Sequence, residues 1–347
     1  MRKLLVIGSD TNHTYNYIEL IRDAFDEIEL ITDKKREGLP YAIHEVGFSL
    51  RSLSDLKDSP KKIAAITKRF QPDVIHIHQA NSYAFYTLRG IRKLGIPVVL
   101  TAWGSDILLL PGKSFLLKQM VKYSLKHATV YTSDSTFMAE EMRRLVPSKK
   151  MDILIANFGI SITPVEKPKE PVFYSNRLHK PLYRVDKIIA AFAKFLEHDR
   201  KENWKLVIAA TGEETASLEK QCAAAGISDR VEFVGWLDKE QNANWYARAR
   251  YFVSIPESDA TAISLLEAMA SGCIPVLSDL PANKEWIRNG ENGIIVEDVD
   301  TDFLSSVFEV DAEKADRVNK ELIAAHGTKE ANRQKFLSLY EKLPKRK

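Results

Sequence analysis

The sequence predicts an α/β protein of two doubly wound domains, and three observations carry that prediction. At 347 residues the chain is too long for one ordinary core and fits two domains of about 150 residues each. Short β-branched runs alternate with longer amphipathic stretches, the pattern of parallel strands joined by crossover helices. That pattern stops and restarts at Lys167-Pro168-Lys169-Glu170-Pro171, a charged, proline-bearing stretch suited to an interdomain linker.

In chain order, Lys3–Gly8, Glu27–Thr32, Val74–His78, Pro97–Ala102 and Thr129–Ser133 read as strands of a first domain, residues 1–166. Val172–Ser175, Trp204–Ala209, Val231–Val234, Tyr251–Ile255, Ile274–Ser278 and Gly293–Val296 read as strands of a second, residues 167–330. The last amphipathic stretch, Asn332 to Leu343, falls in a segment, residues 331–347, expected to return to the first domain as a helix. In such sheets ligands sit beyond the carboxyl ends of the strands, so the residues that follow each strand are the ones to inspect.

Composition narrows the class. Two cysteines, Cys222 and Cys273, supply neither a disulfide framework nor a cysteine zinc site, which fits a reducing cytoplasm. MRKLLVIG is too short an apolar run for a signal peptide, and no stretch has the roughly 20 apolar residues of a spanning helix. A soluble or peripheral protein is expected. Residues 51–150 hold 17 Lys/Arg against 7 Asp/Glu while the whole chain is only +3, so the first domain carries the basic surface. That excess comes with no nucleic-acid recognition motif, and no nucleic-acid partner is expected.

After the strand ending at Ile255 the chain runs Pro256-Glu257-Ser258-Asp259-Ala260-Thr261-Ala262-Ile263-Ser264-Leu265-Leu266-Glu267-Ala268-Met269-Ala270-Ser271-Gly272. Two acids bracket a turn of small residues whose amides can approach a phosphate or sugar, and a carboxylate suits ribose because it accepts from two vicinal hydroxyls. An alternative stays open on spacing alone: Ser264 and Glu267 have capping-box spacing, and Asp259 suits a helix N-terminus.

That run, continued by Pro275-Val276, Pro281-Ala282-Asn283-Lys284-Glu285-Trp286-Ile287 and Asn289-Gly290-Glu291-Asn292-Gly293, resembles the donor-binding segment of family 4 glycosyltransferases. The resemblance implies the GT-B fold, two Rossmann-like domains facing across a cleft. It implies a metal-independent, retaining transfer of a sugar from a nucleoside-diphosphate sugar to a glycan or lipid-linked acceptor, without a cofactor. By the same resemblance Glu267 holds the ribose hydroxyls, Asp259 contacts the transferred sugar, and amides of Ala260, Thr261, Ala262 and Ile263 face the diphosphate or sugar. Asp259-Ala260 stands where the family usually has Glu-Gly, which resembles a subgroup with the shorter acid.

Arg177, in Ser175-Asn176-Arg177-Leu178, stands where the family has its diphosphate-binding arginine; on position alone a surface arginine is the alternative. The family's partner lysine five residues on is replaced by Leu182, with Lys180 and Arg184 as substitutes, and Pro181-Leu182-Tyr183 resembles a subgroup with Pro-x-Tyr here. Gly235-Trp236, after Val231–Val234, resembles the nucleobase loop, where Trp236 either stacks or packs.

In the first domain Gly8 follows a strand where glycine permits a ligand's approach, and His13 follows as an acceptor contact or a solvated loop residue. His76 and His78 alternate on one face without a third metal ligand, and by resemblance His78 belongs to the cleft wall. In Thr101-Ala102-Trp103-Gly104-Ser105-Asp106, Trp103 replaces a family histidine, so that position offers no general base; Asp106 either binds acceptor hydroxyls or starts a helix. Asp298-Val299-Asp300 resembles a metal-binding acidic motif of another fold and reads as solvated. Lys118, Lys122 and Lys126 beside Phe115, Leu116, Met120 and Tyr123 make a basic amphipathic face, either a peripheral contact with an anionic membrane or a solvated helix. A nucleotide-sugar epimerase or phosphorylase on the same fold, and a non-catalytic nucleotide- or glycan-binding protein, are the rival functions.

Overall fold

A computed structural model describes residues 2–162, 167–198 and 203–344. These residues form two compact units, Met1–Phe158 with Lys329–Lys347, and Gly159–Thr328.

The sheet of the first unit has seven parallel strands: β1 (Lys3–Ile7), β2 (Glu27–Thr32), β3 (Ala42–Glu45), β4 (Val74–His78), β5 (Val98–Thr101), β6 (Val130–Ser133) and β7 (Ile153–Ile155), in the order β3-β2-β1-β4-β5-β6-β7. Strands β1 and β4 pair in register, Val6 opposite His76. The central strands are covered on both faces, which is why β1 reads as an apolar run and β4 departs from one only at His76 and His78. The two strands missing from the sequence-based reading are β3, half-exposed and polar, and β7, three residues long. Both lie at sheet edges, where burial imposes no apolar pattern.

The second unit has six parallel strands: β8 (Glu170–Ser175), β9 (Lys205–Ala209), β10 (Val231–Gly235), β11 (Ala249–Ser254), β12 (Ile274–Ser278) and β13 (Ile294–Val296), in the order β10-β9-β8-β11-β12-β13. One core lies on each face of this sheet, one around Phe173, Phe192 and Trp204, the other around Tyr174, Phe252 and Leu266.

The boundary differs from the expected 166/167. Residues 163–166 lie outside the described set, and the units divide at Phe158/Gly159 because Ile160 already belongs to the second core, its amide bonded to Gly327 O at 2.9 Å. Glu170 and Pro171 are the first residues of β8, not linker. The C-terminal helix Lys329–Glu341 belongs to the first unit. Its Tyr340 hydroxyl lies 2.6 Å from His76 Nδ1 and also meets the Tyr17 hydroxyl, while Phe336 is buried against the same core. Among the described residues no helix is long and apolar enough to cross a membrane.

Candidate functional site

Strand order reverses once in each sheet. In the second unit it reverses between β8 and β11, and the carboxyl ends of strands at such a reversal open a crevice. Arg177 follows β8 and Asp259 follows β11, so the topology brings them together. Arg177 Nη2 donates to Asp259 Oδ2 at 2.6 Å and Nη1 to Ser264 Oγ at 3.2 Å, while the Tyr183 ring lies 4.5 Å from the guanidinium carbon. The Arg177 side chain is only 11% exposed, and its Nε has no partner among the described residues. Arginine and acid, read from the sequence as contacts to two different parts of a donor, are an ion pair here.

The helix that follows runs Ile263–Ala270 with Ala262 at its N-cap and no side chain capping it. Ser264 and Glu267 therefore form no capping box: Ser264 is turned to Arg177, and Glu267 lies one turn inside the helix. The uncapped first turn keeps amide donors and the positive end of the helix dipole at the crevice. Among the residues expected to present amides, Ala260 and Thr261 are buried, whereas Ala262 and Ile263 are partly exposed. The Ala260 amide is already taken by Asp259 Oδ1 at 3.0 Å, which corrects its expected role as a free ligand donor. Thr261 is held from behind by Trp286, whose Nε1 donates to Oγ1 at 3.3 Å.

Glu267 sits among groups the sequence did not point to. Burial pushes its carboxyl above the usual range, opposed by a hydrogen bond from Tyr246 and by the charge of Lys239. Asn176 Nδ2 donates to the Tyr246 hydroxyl at 2.7 Å and to Asn242 Oδ1 at 3.0 Å, and the Tyr174 hydroxyl donates to the same Oδ1 at 2.7 Å. Asn242 Nδ2 then holds the carbonyls of Leu237 and Asp238, at 3.2 and 2.9 Å. One network thus ties Glu267 to the loop after β10. Asn176, directly before Arg177 at a strand end, was findable by position; Asn242 and Tyr246 lie on the helix Lys239–Arg248 and carried no signal.

Gly235 ends β10 with φ +68°, a left-handed turn that glycine adopts without a Cβ clash, and Trp236 projects from it 71% exposed. Trp236 does not fill core space. Lys180 is exposed and its ammonium has no partner among the described residues. Arg184 is anchored by its guanidinium, which donates to Ile255 O and Pro256 O at 2.7 and 2.8 Å. Asp300 pairs with Lys187 at 2.6 Å and Asp298 accepts from the Asp300 amide at 2.9 Å, so that acidic motif is a surface turn.

In the first unit the order reverses between β1 and β4, beside Gly8 and His78. A Cβ at Gly8 would stand 2.7 Å from Thr14 Oγ1 and 3.4 Å from His78 Cβ, so the approach that requires glycine is internal packing rather than a ligand's. His78 is 1% exposed and accepts from Trp103 Nε1 at 3.2 Å through Nδ1. Burial, with the nearby charge of His13, brings its pKa down to about 3. It is a buried neutral ring, not an open wall residue. His13 lies in the first turn of the helix Asn12–Ile21 and packs its ring against Trp103 and Phe158, both at 5.2 Å, while remaining exposed. Asp106 is 3% exposed, and its two oxygens accept from the amides of Ala80 at 2.6 Å and Trp103 at 2.9 Å. Burial raises its carboxyl and those amides oppose the rise. The expected contact with acceptor hydroxyls is therefore corrected to a brace between the loops after β4 and β5. Among the described residues no cluster of three metal-ligating side chains occurs.

These features have counterparts in known proteins. Residues 143–309 match the family described as glycosyl transferases group 1, and residues 3–135 the family described as glycosyl transferase 4-like. The fold matches that of Anabaena HepE in complex with UDP, with a TM-score of 0.83 at 12% identity, covering 99% of this chain and 100% of that one. The architecture is that of the GT-B fold. N-acetyl-alpha-D-glucosaminyl L-malate synthase of Bacillus anthracis is 26% identical over 69% of this chain and 65% of its own length. Alpha-monoglucosyldiacylglycerol synthase of Streptococcus pneumoniae is 26% identical over 62% of this chain and 54% of its own. The chain thus spans less than two thirds of either relative. By these matches the chain resembles glycosyltransferases of the family 4 type along most of its length.

Proposed function

We propose that this chain transfers a sugar from a nucleoside-diphosphate sugar to a glycan or lipid-linked acceptor, with retention at the anomeric carbon, in bacterial polysaccharide or glycoconjugate synthesis. The observation that carries the reading is the meeting of Arg177, Asp259 and an uncapped helix N-terminus at one switch point, with Glu267 one turn along that helix. Leaving-group departure puts negative charge on the diphosphate, and Arg177, Lys180 and the helix end supply the opposing charge, so no metal or cofactor takes part in this reading. Glu267 accepts from the ribose hydroxyls, held by Tyr246. Trp236 stacks on the base, and Tyr183 supports the guanidinium from its other face. Asp259, fixed by Arg177, meets the transferred sugar. As the anomeric C–O bond to phosphate breaks, the acceptor oxygen bonds to that carbon on the same face, and its proton passes to the leaving phosphate oxygen. No protein base is needed for this step.

The UDP-bound neighbour and the relative named alpha-monoglucosyldiacylglycerol synthase support a nucleotide donor and a lipid-linked acceptor. In this reading the enzyme works in the cytoplasm, at the inner face of the cell membrane. A thermal-shift series with UDP-, GDP- and ADP-sugars tests the donor site, since a ligand of the native state raises apparent stability by mass action. One donor class should shift the transition, and incubation with acceptor should yield an α-linked product from an α-linked donor. No shift with any donor, or an epimerised nucleotide sugar without glycoside, overturns the reading.

A further inference from the structure

The first unit carries a second surface remote in character from nucleotide chemistry. Helices Leu53–Phe70 and Phe115–His127 border a groove of about 860 Å³ lined by Leu50, Leu56, Phe85, Leu116, Met120 and Tyr123. Of its lining Leu116 is 78%, Leu50 43% and Leu56 38% exposed, and Leu53 and Phe115, which lie between lining residues in the chain, are 84% and 73% exposed. The helix Phe115–His127 already has a buried side, made by Met120, Val121 and Leu125, so its outward apolar residues are surplus to the fold. Isolated exposed leucines need no explanation, but apolar tips from two separate helices around one groove do.

Charge decides the partner. Between Asp106 and Asp134 the sequence has no carboxylate, yet it holds Lys113, Lys118, Lys122 and Lys126. None of these lysines has a carboxylate partner among the described residues, and Lys122 and Lys126 line the groove itself. On the opposite helix Asp58 faces Lys61 at 3.8 Å, and Asp55 is turned to the amide of Ser49 at 3.0 Å rather than to these lysines. The partner must offer hydrocarbon and fixed negative charge within one side-chain length of each other.

We propose that this face docks on an anionic lipid bilayer: Leu53, Phe115 and Leu116 enter the acyl region, Lys118, Lys122 and Lys126 lie at the level of the lipid phosphates, and the groove receives an acyl chain. Long lysine stems cover the apolar flank while their ammonium groups stay with the phosphates. The sequence alone left a solvated helix as the favoured reading; exposure of Phe115 and Leu116, with that of Leu53 on another helix, turns the choice towards a docking face. Leu108, Leu109 and Leu110 are half-buried and contribute nothing to this face. The proposal deepens the reading of a membrane-side acceptor without resting on the donor site.

Co-sedimentation of the full chain with vesicles of phosphatidylglycerol and phosphatidylcholine, against phosphatidylcholine alone, tests it without nucleotide sugar present. Binding should require the anionic lipid and weaken with salt. Each Lys→Gln change at Lys118, Lys122 or Lys126 should reduce it roughly fivefold, and Phe115→Ser with Leu116→Ser should abolish it. The donor-induced thermal shift of the same variants should stay unchanged, which shows them folded and separates failure here from failure of the donor site. Equal binding to neutral vesicles, no binding, or binding indifferent to these substitutions overturns the proposal. So does a concentration-dependent dimer in sedimentation that the same substitutions disrupt without any vesicle binding.

Discussion

The two switch points share a topology and differ in how completely their polar groups are satisfied by the fold. Between β1 and β4 the side chains largely close on one another: both Asp106 oxygens hold amides, His78 accepts from Trp103 although its buried Nε2 has no partner, and Gly8 makes room for Thr14. Between β8 and β11 the arrangement stays open: Arg177 keeps an unengaged Nε, the helix start is uncapped, and Glu267 is held at raised affinity for its proton. Like sheets therefore place residues alike, and the residual hydrogen-bonding capacity separates a brace from a binding site.

The strongest attack on this contrast is Arg177→Ala, expected to lower kcat by about 10²–10³-fold, the usual effect of removing one charge-stabilising donor from a reacting centre. Steady-state transfer assays check it; a change confined to KM would make Arg177 a ground-state contact only. Its counterpart in the first unit, Asp106→Ala, should instead cost about 3 kcal/mol of stability, because two amides lose a buried acceptor. Urea titration measures that loss. Weaker acceptor affinity at unchanged stability would restore Asp106 as an acceptor ligand.

Glu267→Gln should weaken donor binding about tenfold in calorimetry. Because burial raises the Glu267 carboxyl, wild-type binding should fade on acidification at a higher pH than an ordinary carboxylate would give, and the variant's should not. The linked stability has the opposite sense: a raised folded-state pKa favours folding below the ordinary carboxylate range and loses that contribution as pH rises through the raised value. The ligand-free Gln variant should thus be slightly more stable than wild type at neutral pH.

For His78 the shift is downward, from 6.5 to about 3, so below pH 6.5 the unfolded chain takes up a proton that the folded chain refuses. Stability should fall on acidification by up to about 1.4 kcal/mol per pH unit from this ring. His78→Gln should flatten the pH dependence of the urea midpoint. The smallest effect is expected at Trp236, where replacement by Ala should weaken donor affinity about fivefold or less, since one exposed face of stacking is lost. An unchanged affinity would detach the loop after β10 from the site.

Much of this was legible in the chain itself. Every strand read from the sequence exists, because strands covered on both faces must be continuous apolar runs and those runs are visible without neighbours. Arg177, Asp259 and Glu267 were marked by their places after strands and by resemblance. The Ser264 to Glu267 spacing left a capping box open as an alternative because it suits two arrangements, and only the approach of Arg177 to Ser264 distinguishes them.

Local order, the domain pattern and the positions of the candidate ligands were thus determined by the sequence alone, since periodicity and strand-end placement are properties of neighbouring residues. Which polar groups remain available was decided only by tertiary structure. Hydrogen-bonding capacity is used up by partners distant in the chain: Asp106 by the amide of Ala80, Arg184 by the carbonyls of Ile255 and Pro256, Tyr246 by Asn176. No local pattern records those pairings, because each arises where parallel strands place loops from different parts of the chain side by side.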